Sequence, residues 1–151
     1  MIEPVGADLV ALAQAHALDA TTFPYPSLPV VLGADAPPSL WVARTEHGGR
    51  VVGYVATRAR AGALEISGLA TDAAHRRTGL GRALVRAAVR SARSRGLALV
   101  SLHVSTGNDG AIRLYVSEGF RTERRIAGYY RVASFPDDGD AWLMIRDVLI
   151  S

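Results

Sequence analysis

The residues with the plainest chemical purpose stand together at Arg76-Arg77-Thr78-Gly79-Leu80-Gly81. Two glycines one residue apart let the backbone come close to a ligand and turn several N–H groups into one concavity. A helix beginning there adds the positive end of its dipole and its unpaired first donors. Arg76, Arg77 and Arg82 add full charges. The combination is a cradle for a pyrophosphate. Between Asp72 and Asp109 there is no carboxylate, yet the stretch holds Arg76, Arg77, Arg82, Arg86, Arg90, Arg93 and Arg95. That local positive field favours a polyanionic partner. All 17 basic residues are arginine, so it is their placement, not the residue type, that informs.

Two common phosphate binders are ruled out. A nucleotide-hydrolysing loop needs a Gly-Lys-Ser/Thr end, and the chain has no lysine. A dinucleotide fingerprint needs a third small residue at position 84, which is Leu84, and an acidic residue about 20 further on, where Ser101 and Leu102 stand.

Composition sets the frame around this segment. At 151 residues the chain is expected to form one domain, 1–151, burying about two-thirds of its unfolded surface. A hydrophobic share of 49% with 21% charged residues excludes disordered and fibrous classes. There is no cysteine, which removes disulfides, thiolate metal sites and a cysteine nucleophile, and suits a cytoplasmic enzyme. No metal site is expected. No run approaches the ~18 apolar residues of a membrane span, and Met1-Ile2-Glu3-Pro4 does not begin a secretory signal, so no membrane partner is expected. Net charge is only +3 and the arginine face lacks interleaved aromatics, which argues against nucleic acid.

The elements that must position the cradle follow from periodicity. A short strand is expected at Ile2–Val5 and an amphipathic helix over Ala7–Asp19. Phe23-Pro24-Tyr25-Pro26-Ser27-Leu28-Pro29 must be a loop, because its prolines remove donors and clash with a preceding turn. Leu40–Arg44 and Val51–Thr57 read as a hairpin around Gly48-Gly49, and Leu64–Ala70 as a third strand. After Asp72 a helix carries Leu80, Leu84, Ala87 and Ala88 on one face and the arginines on another, ending at Gly96. Leu97–Val104 reads as a strand buried on both faces. Asn108 opens a short helix that contains Ile112, Leu114 and Tyr115 and ends at Gly119. Strands at Phe120–Tyr130 and Ala141–Val148 close the chain, with Trp41 and Trp142 expected in the core. The unit from Leu64 to Val104 should be a right-handed crossover between parallel strands, flanked by antiparallel hairpins. The fold class expected is α/β (α+β), a central mixed, mostly antiparallel sheet with helices on both faces.

With these motifs the chain resembles the GCN5-related N-acetyltransferase (GNAT) superfamily. Its acetyl-CoA loop, Arg/Gln-x-x-Gly-x-Gly/Ala, is matched by Arg76, Gly79 and Gly81, and a second block by Asn108-x-x-Ala111-x-x-Leu114-Tyr115-x-x-x-Gly119-Phe120. Within the superfamily the chain is most similar to protein amino-terminal acetyltransferases, including the bacterial ribosomal-protein-alanine type. Phe23-Pro24-Tyr25-Pro26 resembles their first substrate loop, Gly128-Tyr129-Tyr130 their peptide-covering hairpin, and Leu102-His103-Val104 the site of a catalytic His or Glu.

The resemblance implies acetyl-CoA as cofactor and a peptide or protein amine as partner. The cofactor would be bound by Arg76, Arg77, Thr78, Gly79, Leu80, Gly81 and Arg82, with backbone donors from Leu69, Ala70 and Thr71 and contacts from Asn108 and Tyr115. Tyr115 would protonate the departing sulfur. His103 or Glu65 would accept the amine proton, and Phe23, Tyr25, Tyr129 and Tyr130 would line the acceptor groove. Each has a plainer alternative: an interior histidine, a Glu65–arginine pair, packed tyrosines, a helix cap at Asn108. A small amine as acceptor and a non-catalytic acyl-CoA sensor stay open, as do monomer and homodimer.

Overall fold

The strands arise where β-branched and aliphatic residues cluster, and the computed structural model describes them over residues 2–4, 40–45, 49–130 and 139–149. The expected helix Ala7–Asp19, the loop with Phe23 and Tyr25, and Pro136–Asp138 lie outside the described residues. The elements run β1 (Ile2–Pro4), β2 (Leu40–Arg44), β3 (Val51–Arg60), β4 (Ala63–Thr71), a 3₁₀ turn (Ala73–His75), α1 (Leu80–Ser94), β5 (Leu99–Ser105), α2 (Asp109–Ser117), β6 (Arg121–Ile126) and β7 (Ala141–Asp147). Strand order is β1-β2-β3-β4-β5-β7-β6, a mixed sheet with one parallel pair. Among the described residues no helix is long and apolar enough to cross a membrane.

By its contacts the chain divides into two units: Met1–Arg58 with Ile66–Ala88, and Ala59–Glu65 with Val89–Ser151. In the first, β2 pairs antiparallel with β1 and with β3, running Leu40↔Ala56 to Arg44↔Val51 with an irregularity at Ala43/Arg44. Every residue from Val51 to Thr57 is buried, so β3 is covered on both faces. That property was expected of the strand at Leu97–Val104. There it fails, because β5 begins only at Leu99 and alternates: Val100, Leu102 and Val104 are buried, while Leu99, Ser101, His103 and Ser105 are half-buried. Polar residues at alternate positions keep its second face from closing. Leu97 and Ala98 instead serve the connection, their N–H groups donating to Ala92 and Gly62 carbonyls.

In the second unit, Ala61 and Gly62 both adopt positive φ (51° and 79°), the two-residue turn that matches strand twist in a hairpin. β7 lies between β5 and β6, pairing antiparallel with both. Trp142 is a correction. It is half-buried, with the Arg125 guanidinium 5.5 Å from its ring centre, and Trp41 is likewise half-buried, so neither is a core residue.

Helix α1 buries Leu84, Val85, Ala87, Ala88, Val89 and Ala92 and exposes Arg82, Arg86, Arg90 and Arg93, as the spacing requires. Helix α2 starts as expected: the Asn108 side-chain oxygen accepts from the Ala111 N–H at 3.2 Å. It ends in a Schellman pattern, with Phe120 N–H donating to the Tyr115 carbonyl and Gly119 N–H to Val116. Gly119 can close it because its φ is +89°, a conformation that side chains with Cβ resist. The cap brings Phe120 edge-on to Tyr115, ring centres 5.8 Å apart.

Replacing Asn108 by Ala should lower stability by about 1 kcal/mol in urea denaturation, with Asn108→Asp close to the original. An unchanged midpoint for the alanine variant would mean that the cap carries no weight.

Candidate functional site

In the first unit the cradle is built from the end of β4. The Asp72 N–H donates to the Val52 carbonyl at 2.7 Å, tying the exit of β4 to β3. Its carboxylate then works twice: one oxygen accepts from the Ala74 N–H at 3.1 Å, capping the 3₁₀ turn, and the other from Arg50 at 3.0 Å. His75 approaches the same carboxylate at 3.8 Å. The Ala74 N–H first, and the Arg50 guanidinium after it, hold the Asp72 carboxyl below the ordinary carboxylate range. Thr78 donates its hydroxyl to the His75 carbonyl, closing the turn.

The chain then takes φ of +62° at Arg77 and +87° at Gly79 before the Ala83 N–H makes its helical bond to the Gly79 carbonyl. Left-handed residues set between extended and helical ones turn successive N–H groups towards one point. A Cβ at Gly79 would meet nothing within 4 Å, so the concavity is open, and the strain of its φ is what calls for glycine. Arg76, Arg77, Thr78, Gly79 and Arg82 are exposed, Leu80 and Gly81 half-buried, and no acidic residue stands in the first turn of α1. A diphosphate fits these residues: charge, donors and room coincide. On β4, Ala70 is buried and Leu69 and Thr71 are half-buried.

In the second unit His103 lies on the half-buried face of β5, stacked on Tyr129 with ring centres 4.4 Å apart and planes at 10°. Tyr129 meets Tyr130 edge-on at 4.8 Å. Asp140 holds the turn that leads into this pair: its carboxylate accepts from the Gly128 N–H and from Arg125, each at 2.8 Å, while Tyr130 N–H donates to the Gly139 carbonyl. Tyr115 is buried, and loss of solvent pushes its phenol up to about 12. Glu65 is half-buried near the start of β4, and Asn108 spends its side-chain oxygen on the helix cap.

Of the residues expected from sequence, the structure therefore joins Arg76–Arg82 into one loop and His103, Tyr129 and Tyr130 into one aromatic stack; Phe23 and Tyr25 lie outside the described residues. Sequence reasoning missed Asp72 and Arg50 as the pair behind the loop. An Asp two residues before a free N–H is a recognisable turn signal, but nothing local points to Arg50.

Residues 10–120 match the model of the acetyltransferase (GNAT) family. Over 82 residues the chain is 42% identical to a mycothiol acetyltransferase of Thermobispora bispora, covering 50% of this chain and 28% of that protein. Over 104 residues it is 36% identical to the N-alpha-acetyltransferase RimI of Mycobacterium tuberculosis, covering 66% and 61%. The chain thus spans less than two-thirds of the length of either curated relative. Its fold is similar to that of Arabidopsis thaliana Naa50 in complex with the bisubstrate analogue CoA-Ac-MVNAL, with a TM-score of 0.77, 24% identity, and 96% and 97% of the two chains covered.

Because the folded pKa of Asp72 is depressed, its support of the turn is present above the ordinary value of about 3.9 and is lost as pH falls through the folded value. Arg50→Ala should raise the Asp72 pKa in a carboxyl NMR titration, and Asp72→Asn should flatten part of the acid-side loss of thermal stability. Identical acid profiles for D72N and the original chain would show that the carboxylate does not hold the turn.

Proposed function

As a member of the acetyltransferase (GNAT) family, the chain is one that we propose moves the acetyl group of acetyl-CoA to a primary amine, a peptide or protein α-amine, within a ternary complex. The observation that carries this reading is the open, carboxylate-free loop Arg76–Arg82, with Arg77 and Gly79 in left-handed conformations at the start of α1. In this reading Arg76, Arg77 and Arg82 and the N–H groups of the loop grip the diphosphate, and Leu69, Ala70 and Thr71 offer backbone groups along β4. Bound acetyl-CoA supplies an activated thioester. The single domain 1–151 and a cytoplasmic setting belong to the same proposal.

The proton inventory is simple. The amine nitrogen forms a bond to the acetyl carbon, the carbon–sulfur bond breaks, one proton leaves the amine and one reaches the sulfur. An α-amine has an ordinary pKa of about 7.7–8.0 against about 10.4 for lysine, so an α-amine is more readily neutral and asks less of a base. His103, whose imidazole has an ordinary pKa of about 6.5, and Glu65 are the groups assigned to take that proton, directly or through water. Tyr129, stacked flat on the imidazole, limits how the ring can turn. Tyr115 keeps its proton through the neutral range and stands ready to give it to a thiolate.

Similarity to RimI, an N-alpha-acetyltransferase, and the fold shared with a protein holding a CoA–peptide analogue support a peptide α-amine. The 42% identity to a mycothiol acetyltransferase favours a second reading, in which the acceptor is a small-molecule amine.

Peptides differing in their first residue, set beside a panel of small amines and read by acetyl mass shift, should show transfer to peptide α-amines; transfer to small amines alone would select the second reading, and no transfer would overturn both. Tyr115→Phe should lower kcat roughly a hundredfold while CoA affinity by calorimetry holds. With the phenol at about 12, ionisation of Tyr115 should leave the rate untouched below about pH 10. A Tyr115→Phe enzyme at full speed would remove the phenol from the chemistry.

A further inference from the structure

Strand β4 carries a polar atom that nothing in the roles above uses. The Ser67 hydroxyl is buried and has no hydrogen-bond partner among the described residues. Burying a hydroxyl unpaired costs stability, so such an atom calls for a partner that arrives from outside. Its position says which partner. Along β4, Leu64, Ile66 and Ala70 are buried, and the alternation of a strand sends Glu65, Ser67, Leu69 and Thr71 to the opposite face, where each is half-buried. Ser67 thus stands on one face between Leu69–Thr71, the residues assigned to the bound thioester arm, and Glu65, assigned to the amine proton. At a rise of about 3.3 Å per residue it is about 7 Å along the strand from each of Glu65 and Leu69.

We propose that Ser67 is a positioning residue for the incoming amine: its hydroxyl accepts a hydrogen bond from the amine nitrogen and aims the lone pair at the acetyl carbon. A hydroxyl suits this task because it both accepts and donates. It can accept from one amine N–H and donate its own O–H to a water or carboxylate on the same face. The serine moves no proton to or from the reacting atoms in net, so the proton still leaves through His103 or Glu65. This inference rests on the transferase reading and adds to it the group that orients the acceptor nitrogen.

The test uses the full chain and the peptide that the original enzyme acetylates best, varied at saturating acetyl-CoA. Ser67→Ala should raise KM for the peptide about tenfold, the cost of one hydrogen bond, with a smaller fall in kcat. CoA affinity by calorimetry should not change, and the melting temperature should hold or rise, because the unpaired hydroxyl is gone. Ser67→Cys, close in size but a poor hydrogen-bonding group, should share the KM defect, which separates bonding from volume. An alanine variant with unchanged KM would overturn the proposal, as would one that loses CoA affinity or melts earlier, since either would mark a cofactor or packing role. If the original chain acetylates no amine, the transferase reading itself falls. If it acetylates peptides and S67A matches it, only the role of Ser67 falls.

Discussion

One carboxylate governs the candidate site. Asp72 sits where β4 ends, and within eight residues the chain must leave the sheet and start α1 at Leu80. Most of those residues lie outside strand and α-helix, so few ladder bonds are available to hold them. Asp72 replaces several of them: its N–H is fixed to β3, one oxygen caps the next turn, and the other draws in Arg50. Only with the entry pinned does it become possible for Arg77 to stay in the left-handed region, which a side chain with a Cβ occupies at a cost.

Two titratable groups are tuned in opposite senses. Asp72 is kept charged by donors aimed at it, whereas Tyr115 is kept neutral by removal from water. Each follows from local architecture: an exposed turn rich in N–H groups in the first case, a helix end folded over by a Schellman cap in the second. The cap links helix geometry to ring position, since the bond from Phe120 to the Tyr115 carbonyl is what sets the two rings edge to face.

How much of this was legible beforehand depends on distance along the chain. The N-cap at Asn108, the turns at Gly96 and Gly119, the arginine face of α1 and the glycine loop are local matters of residue type and spacing, and all were readable. What escaped is long-range. In Leu97–Val104 the alternate Ser101 and His103 already interrupt the apolar run, but how far that face stays open depends on what neighbouring elements leave uncovered. The placement of β7 between β5 and β6 is a choice of pairing partner, and the Arg50–Asp72 and Arg125–Asp140 pairs span 22 and 15 residues. Trp142 misleads for a related reason: a large ring suggests a core, yet stacking a guanidinium on it makes a half-open position acceptable. The stack of His103 on Tyr129 likewise joins segments far apart in sequence.

The exposed face of α1 is made of guanidinium groups, Arg82, Arg86, Arg90 and Arg93, and the chain contains no lysine. An ammonium side chain loses its charge when it is acylated, but a guanidinium stays protonated and is a poor nucleophile at neutral pH. Under the proposed function, handling reactive thioesters would expose the protein's own surface to stray modification. Here the positive field beside the loop is built from groups that such chemistry does not erase.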